Sequence, residues 1–349
     1  MQRNHGGNID MAIARWGGTD WIDLSTGINR RPWPVPPVPD VAWHALPTEA
    51  DRAALVAVAA ARFGADPAQV LPVAGASAAI QILPRLLASV RWAGARRDDG
   101  GQVDGCLAAV LARSYNEHAA SLAAAGWQVR QVAEPEQMAG VDLAVLVNPN
   151  NPDGREWSPA ALRALAGRVG HLIVDESFAD ARPDLSLAGD LPHNATLLRS
   201  FGKFWGLAGV RLGFVIGAPD LLARLAQAAG PWAVSGPALW IGTRAMADAT
   251  WAEDCVGYHA EAALRLDRIC TATGSAARWV ALGGTHLFRL YETGNAAAAQ
   301  DRLARARIWS RRFPFAPGWL RLGVPGSRTE WARLMAALAS RPEHGNGGD

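Results

Sequence analysis

From about residue 69 onward, short apolar runs alternate with longer stretches of helical spacing. The runs are Val70–Val73, Leu107–Leu111, Leu143–Val147, Leu172–Val174, Thr196–Leu198 and Phe214–Ile216. Helical spacing extends from about Ser77 to Trp92 and over roughly 116–125, 158–168 and 219–229. Short apolar strands joined by helical crossovers predict an α/β fold with a mostly parallel sheet covered on both faces. Upstream, 49–63 reads as an amphipathic helix. Residues 1–45 are rich in Gly, Pro and Trp, with a short strand at Trp21–Leu24, a turn at Ser25–Asn29 and an extended stretch from Pro32 to Pro39. Such an arm is expected to drape over another domain or subunit. After Gly230-Pro231 the texture changes. A long helix over 237–272, a strand at Thr285–Tyr291, a helix near 296–306, strands at Ile308–Trp309 and Trp319–Leu322, and a helix over 329–339 predict a smaller α+β domain. The expected division is an arm over 1–45 joining the small domain, a large domain over 46–230 and a small domain over 231–349. The charged stretch 95–105 reads as a solvent loop and the tail from Glu343 as disordered.

The 349 residues suffice for one large and one small domain, and a formal charge of +2 points to no polyanionic partner. The three cysteines, Cys106, Cys255 and Cys270, have no metal-ligand spacing and suit a reducing compartment. No metal site is expected. The longest wholly apolar run, Ala53 to Ala61, is too short to span a membrane, and residues 1–8 lack a signal-peptide core. A cytoplasmic location, with neither membrane nor nucleic-acid partner, is the expectation.

Composition holds one further fact. Of 34 basic residues, 33 are arginine and one, Lys203, is lysine. Arginine can replace lysine in ion pairs, but its guanidinium stays protonated where a neutral amine must attack a carbonyl. The surviving lysine is therefore a candidate for covalent amine chemistry, such as binding the aldehyde of pyridoxal phosphate; codon bias is the plain alternative. That cofactor also needs an anion at the pyridine nitrogen, donors for its phosphate and a partner for its ring oxygen. Asp175 follows the strand Leu172–Val174 and could supply the anion, or serve as a helix cap. Asn151, in the turn Asn148-Pro149-Asn150-Asn151-Pro152, could donate to the ring oxygen, or belong to an ordinary turn. Gly75-Ala76-Ser77 lies between a strand and a helix, where backbone N–H groups can approach a phosphate. Ser200 and Arg211 flank Lys203 and could add a hydroxyl and a guanidinium. Tyr115 could stack on the ring, or fill core.

Asn151, Asp175 and Lys203 in that order, with Arg211 eight residues past the lysine, resemble the aminotransferase class I/II superfamily of fold type I pyridoxal-phosphate enzymes, from about residue 5 to residue 338. The resemblance implies that Lys203 binds the cofactor covalently and Asp175 pairs with the pyridine nitrogen. By it, Asn151 contacts the ring oxygen, Tyr115 stacks, and Ala76, Ser77, Ser200 and Arg211 hold the phosphate. It also implies a homodimer. Two departures stand out: Phe178 occupies a position where aminotransferases usually carry tyrosine, and no tyrosine stands near Leu46.

Within the superfamily the chain is most similar to the threonine-phosphate decarboxylases of cobalamin biosynthesis. The residues that carry this are His5-Gly6-Gly7-Asn8, Trp21 to Asn29, Pro231 to Pro237, Gly284 to Arg289 and Arg305 to Arg311; Phe178 also fits that group. The resemblance implies a small phosphorylated amino acid as substrate, and loss of CO2 from L-threonine O-3-phosphate to give (R)-1-amino-2-propanol phosphate. His5, Asn8, Asn29, Arg311 and Arg321 are the candidates to bind its anionic groups. The nearest alternative is a histidinol-phosphate-type aminotransferase. A dehydrogenase is disfavoured because no Gly-x-Gly-x-x-Gly follows a strand. A noncatalytic DNA-binding regulator is disfavoured because 1–45 has neither a helix-turn-helix pattern nor a basic excess.

Overall fold

The computed structural model describes residues 6–94, 106–272 and 279–339. The expected loop at 95–105, the tail from Glu343 and the candidate His5 lie outside the described residues. The chain divides into two compact units, one of Trp33–Asn151 and Arg155–Trp251, the other of Met1–Pro32, Pro152–Gly154 and Ala252–Asp349.

Strand β1 (Ile22–Asp23) belongs to the second unit. The first is built on a sheet of β2 (Val70–Val73), β3 (Leu107–Leu111), β4 (Gln128–Val132), β5 (Leu143–Val147), β6 (His171–Asp175), β7 (Ala195–Ser200) and β8 (Gly213–Ile216), in the order β2-β8-β7-β6-β5-β3-β4. Strands β3 to β7 are mutually parallel, and β8 runs against both its neighbours, β7 and β2. The sheet is mostly parallel, as the alternation of apolar runs and helices predicts. Every residue of β5 is buried, the mark of a strand covered on both faces. Only β4 escapes an apolar reading: it is an edge strand, Gln-Val-Arg-Gln-Val, buried only at Val132.

Local chemistry starts and stops the surrounding helices. Glu49–Phe63 begins on a reciprocal capping box between Thr48 and Asp51 and ends at Gly64 in the left-handed conformation, φ 68°. Ser158 caps Pro159–Ala166, and Pro219 opens Pro219–Ala229. The long helix expected over 237–272 is two helices, Gly236–Ala247 and Ala249–Thr271. Asp248 makes the break: its Oδ1 accepts from the Trp251 N–H at 3.0 Å and its Oδ2 from the Trp33 indole at 3.0 Å. Apolar spacing continues through the joint, so periodicity cannot see it. The first of these helices stays with the large unit because Gly242 lets it approach closely; a Cβ there would lie 2.5 Å from Leu212 and 3.1 Å from Leu55. Trp33 joins the same unit through its N–H to the Trp205 carbonyl, 3.0 Å. The compact units thus part at Pro32/Trp33 and Trp251/Ala252, whereas the apolar texture places the divisions at 45/46 and 230/231.

The second unit holds an antiparallel sheet of β9 (Val280–Gly284), β10 (Phe288–Glu292), β12 (Arg311–Phe313) and β13 (Ala316–Gly323), in the order β12-β13-β10-β9. A separate parallel pair joins β1 to β11 (Ile308–Trp309). Leu24, Leu266, Leu303, Leu320 and Trp331 share its core. The helix Ile9–Trp16, which buries only Ala12, was not anticipated from apolar spacing.

Candidate active site

Strand direction gathers the chemistry at one edge of the large sheet. The C-terminal ends of β2, β3, β5, β6 and β7 meet there, together with the N-terminal end of the reversed β8. In an open α/β sheet that edge is where ligands bind. Gly75 to Ser77 follow β2, Tyr115 follows β3, Asn151 follows β5, Asp175 ends β6, Ser200 ends β7, and Arg211 precedes β8. All eight positions, with Lys203 and Phe178, line one cleft that opens to solvent.

Lys203 sits on the four-residue helix Phe201–Phe204. That helix rests on an aromatic platform: Trp205 stacks on Phe201 at 5.7 Å and on Trp251 at 5.1 Å, and Phe204 meets Trp251 edge-on at 5.7 Å. Gly202 allows the turn to close, since a Cβ there would lie 2.8 Å from the Ala208 Cα. The Lys203 Nζ stands 5.7 Å from the centre of the Phe178 ring.

Asp175 is buried and fully engaged on its inner side. His118 Nε2 lies 2.8 Å from Oδ2, and the Ser177 hydroxyl and N–H donate to Oδ1 at 2.5 and 3.0 Å. Burial alone would push this carboxyl up; the hydrogen bond and charge of His118, and the donors of Ser177, outweigh it and hold the group below the ordinary carboxylate range. His118 and Ser177 were not singled out from sequence. His118 lies in the first turn of Asn116–Ala124, where a lone histidine reads as one more polar residue.

The remaining positions form a cradle. Gly75 adopts φ +82°, and a Cβ on it would lie 2.8 Å from the Arg211 Nη2. The guanidinium is therefore seated against the turn that opens the helix Ala76–Gly94. Arg211 is itself left-handed, φ 55°, with its Nη1 donating to the Ala208 carbonyl at 2.9 Å. Backbone N–H groups at a helix start beside a guanidinium suit a phosphate. A buried carboxylate across the cleft suits a protonated heterocycle nitrogen. The residues present thus fit pyridoxal phosphate.

Four substrate candidates lie in the second unit. The Asn8 side chain caps Ile9–Trp16, accepting from the Met11 N–H at 3.3 Å. Asn29 is buried; its Oδ1 accepts from the Arg31 N–H and faces His259 Nε2, each at 2.7 Å, and its Nδ2 donates to Cys255 Sγ at 3.2 Å. Arg311 and Arg321 are direct partners across β12 and β13 and so share a face of the small sheet. Arg321 is buried and donates to the Ser25 carbonyl at 2.7 Å; burial and the Arg311 charge push it down to about 9.

The fold and the cleft define a pyridoxal-phosphate enzyme of fold type I. The chain belongs to the aminotransferase class I and II family, whose profile matches residues 20–338. It is 42% identical over 344 residues to a threonine-phosphate decarboxylase of Sinorhizobium sp, covering 96% of this chain and 97% of that one. It is 41% identical over 344 residues to one of Pseudomonas aeruginosa, covering 96% of each. A histidinol-phosphate aminotransferase of Mycobacterium bovis is 31% identical over 307 residues, 82% of this chain and 76% of that one. The fold matches the crystal structure of histidinol-phosphate aminotransferase from Sinorhizobium meliloti in complex with pyridoxal 5'-phosphate, with TM-score 0.75 and 18% identity over 97% of this chain and 94% of that one. The cofactor is pyridoxal phosphate. Among the described residues no helix is long and apolar enough to cross a membrane, and no cluster of metal-ligating side chains occurs.

Proposed function

We propose that the protein decarboxylates L-threonine O-3-phosphate to (R)-1-amino-2-propanol phosphate, the linker precursor of cobalamin, and does so as a cytoplasmic homodimer. The observation that carries this reading is the 42% identity, over nearly the whole of both chains, to a threonine-phosphate decarboxylase. Weaker similarity to a histidinol-phosphate aminotransferase keeps transamination as the second reading.

When bound, pyridoxal phosphate supplies an aldehyde for an amine and a conjugated ring that accepts the electron pair of a breaking bond to the α-carbon. In this reading Lys203 Nζ would hold the aldehyde, and the same amine could carry a proton to the substrate's α-carbon. The Asp175 carboxylate, kept ionised by His118 and Ser177, holds a proton at the pyridine nitrogen. The Asn151 amide donates to the ring oxygen and Tyr115 covers the ring. The Ala76 N–H, the hydroxyls of Ser77 and Ser200, and the Arg211 guanidinium hold the cofactor phosphate. Arg311 and Arg321 take the substrate's two anionic groups, and His5, Asn8 and Asn29 are the further candidates for its phosphate. A buried guanidinium facing a second one gains from an anion, which fits Arg321 to that task. By holding the substrate's phosphate and carboxylate, Arg311 and Arg321 would fix its orientation, which decides whether CO2 or a proton is lost from the α-carbon.

The test is a mass-spectrometric product assay on phosphothreonine and phosphoserine, with and without 2-oxoglutarate. CO2 and the amine should form without the oxo acid, and Lys203→Ala should lose both turnover and the cofactor's visible absorbance. Products that form only with 2-oxoglutarate would establish the aminotransferase instead.

A further inference from the structure

Behind the cleft, on the opposite face of β6 and β7, lies a buried charge cluster. Successive strand residues point to opposite faces. Asp175 and Ser200 line the cleft, so Glu176, which continues the chain directly after β6, and Arg199, the previous residue along β7, face away from it. The strands are still paired there, with Glu176 N–H donating to the Leu198 carbonyl at 2.9 Å. Arg199 Nη1 donates to Glu176 Oε2 at 2.8 Å, and its Nη2 lies 3.6 Å from Asp180 Oδ1. Glu176 is 0% exposed, Arg199 5% and Asp180 9%. Ser186 donates to Glu176 Oε2 at 2.7 Å and the Leu187 N–H to Oε1 at 3.2 Å.

We propose that Arg199 is a positioning residue that grips the segment 176–180 at both ends, and so fixes Asp175 and Phe178 relative to Ser200 and Lys203. The gripped segment contains Ser177, which holds Asp175, and Phe178, which faces Lys203; the gripping residue is adjacent to Ser200 and four before the lysine. Stability does not account for the cluster. Buried ion pairs are commonly no better than apolar replacements of the same shape. This one also leaves Asp180 Oδ2 and Arg199 Nε buried without hydrogen-bond partners, and such atoms call for a reason beyond packing. Burial pushes both carboxyls up against the pull of Arg199. What the cluster does supply is a charged tie across two strand ends, where a small misplacement of reacting groups is expensive in rate.

The proposal rests on the cofactor roles given to Asp175 and Lys203, and its test separates the two. Arg199→Met would strand two carboxylates, so it is combined with Glu176→Gln and Asp180→Asn to give a neutral cluster of the same shape; Arg199→Lys keeps the charge but cannot reach both carboxylates. Apoprotein is titrated with pyridoxal phosphate by fluorescence, and the visible absorbance of the loaded protein is followed against pH. In each variant that folds, by circular dichroism, the cofactor Kd should rise about 10- to 100-fold, the scale seen when residues that orient a binding group are lost, and the pH midpoint of the absorbance should move. Wild-type values for both in a folded variant overturn the role of Arg199. Absence of cofactor binding in the wild type, or normal absorbance in Lys203→Ala, overturns the underlying assignment instead.

Discussion

His118 does for Asp175 what Asp175 does for the cofactor in the proposed reaction: it stabilises a charge that burial opposes. Take His118 away and desolvation is left to dominate, so the carboxyl moves up from its depressed value. The sign follows directly. A carboxyl held low in the folded protein contributes stability above its unfolded value, and loses it as pH falls through the folded one. His118→Phe should therefore shift the acidic limb of kcat/KM to higher pH and lower the rate near neutrality by about 10-fold. Ser177→Ala should move it less, because the Ser177 backbone N–H remains on Oδ1. A pH–rate profile from 5 to 9 checks both; an unmoved acidic limb in His118→Phe would mean that the ring only fills space. The pair is 57 residues apart in sequence, and nothing local marks them as partners. Lys203, by contrast, could be singled out because covalent amine chemistry is closed to the arginines that stand at every other basic position.

At the scale of elements, what could be read was whatever has an apolar period. Strands β2, β3 and β5 to β8 announce themselves as apolar runs, and their direction then brings Ser77, Asn151, Asp175, Ser200 and Arg211 to one edge. Polar or composite elements stayed hidden: β4 is an exposed edge, β9 is largely exposed, and the break at Asp248 is a side-chain cap inside an unbroken apolar phase. The turn at Gly75 shows how element geometry becomes chemistry. Its φ of +82° disfavours a side chain, and the Arg211 guanidinium lies against the space that a Cβ would take. Gly75→Ala should cost about 1–2 kcal/mol in stability from the left-handed backbone. It should also displace Arg211 and erase the preference of the apoprotein for pyridoxal phosphate over pyridoxal. Calorimetric titration with the two ligands reads that preference directly; if it survives, Arg211 is not the phosphate's partner.

For the whole molecule, the larger unit carries more exposed apolar surface in one region than its own fold can use. Val41, Trp43, Leu46 and Trp232 are 59, 66, 64 and 58% exposed. They belong together. The helix Asp40–His44 packs on the start of Gly236–Ala247, where a Cβ at Gly236 would lie 2.3 Å from the Ala42 carbonyl. Pro47 and Trp232 line the same open cleft. Trp232 is held at φ 52°, a conformation that a large side chain seldom adopts. Scattered apolar residues on a surface need no explanation, whereas several in one region point to an interface. The proposed occupant is a second copy of the chain, as the resemblance to homodimeric aminotransferases implies. In the proposed homodimer, Trp43→Glu combined with Leu46→Glu should give a folded monomer, seen as a halved mass by sedimentation. Each residue lies outside the cleft that holds Lys203, so cofactor chemistry in the isolated subunit should report whether the site is complete within one chain. If these aromatic and aliphatic side chains can be charged without changing the sedimenting mass, the two copies meet elsewhere or not at all.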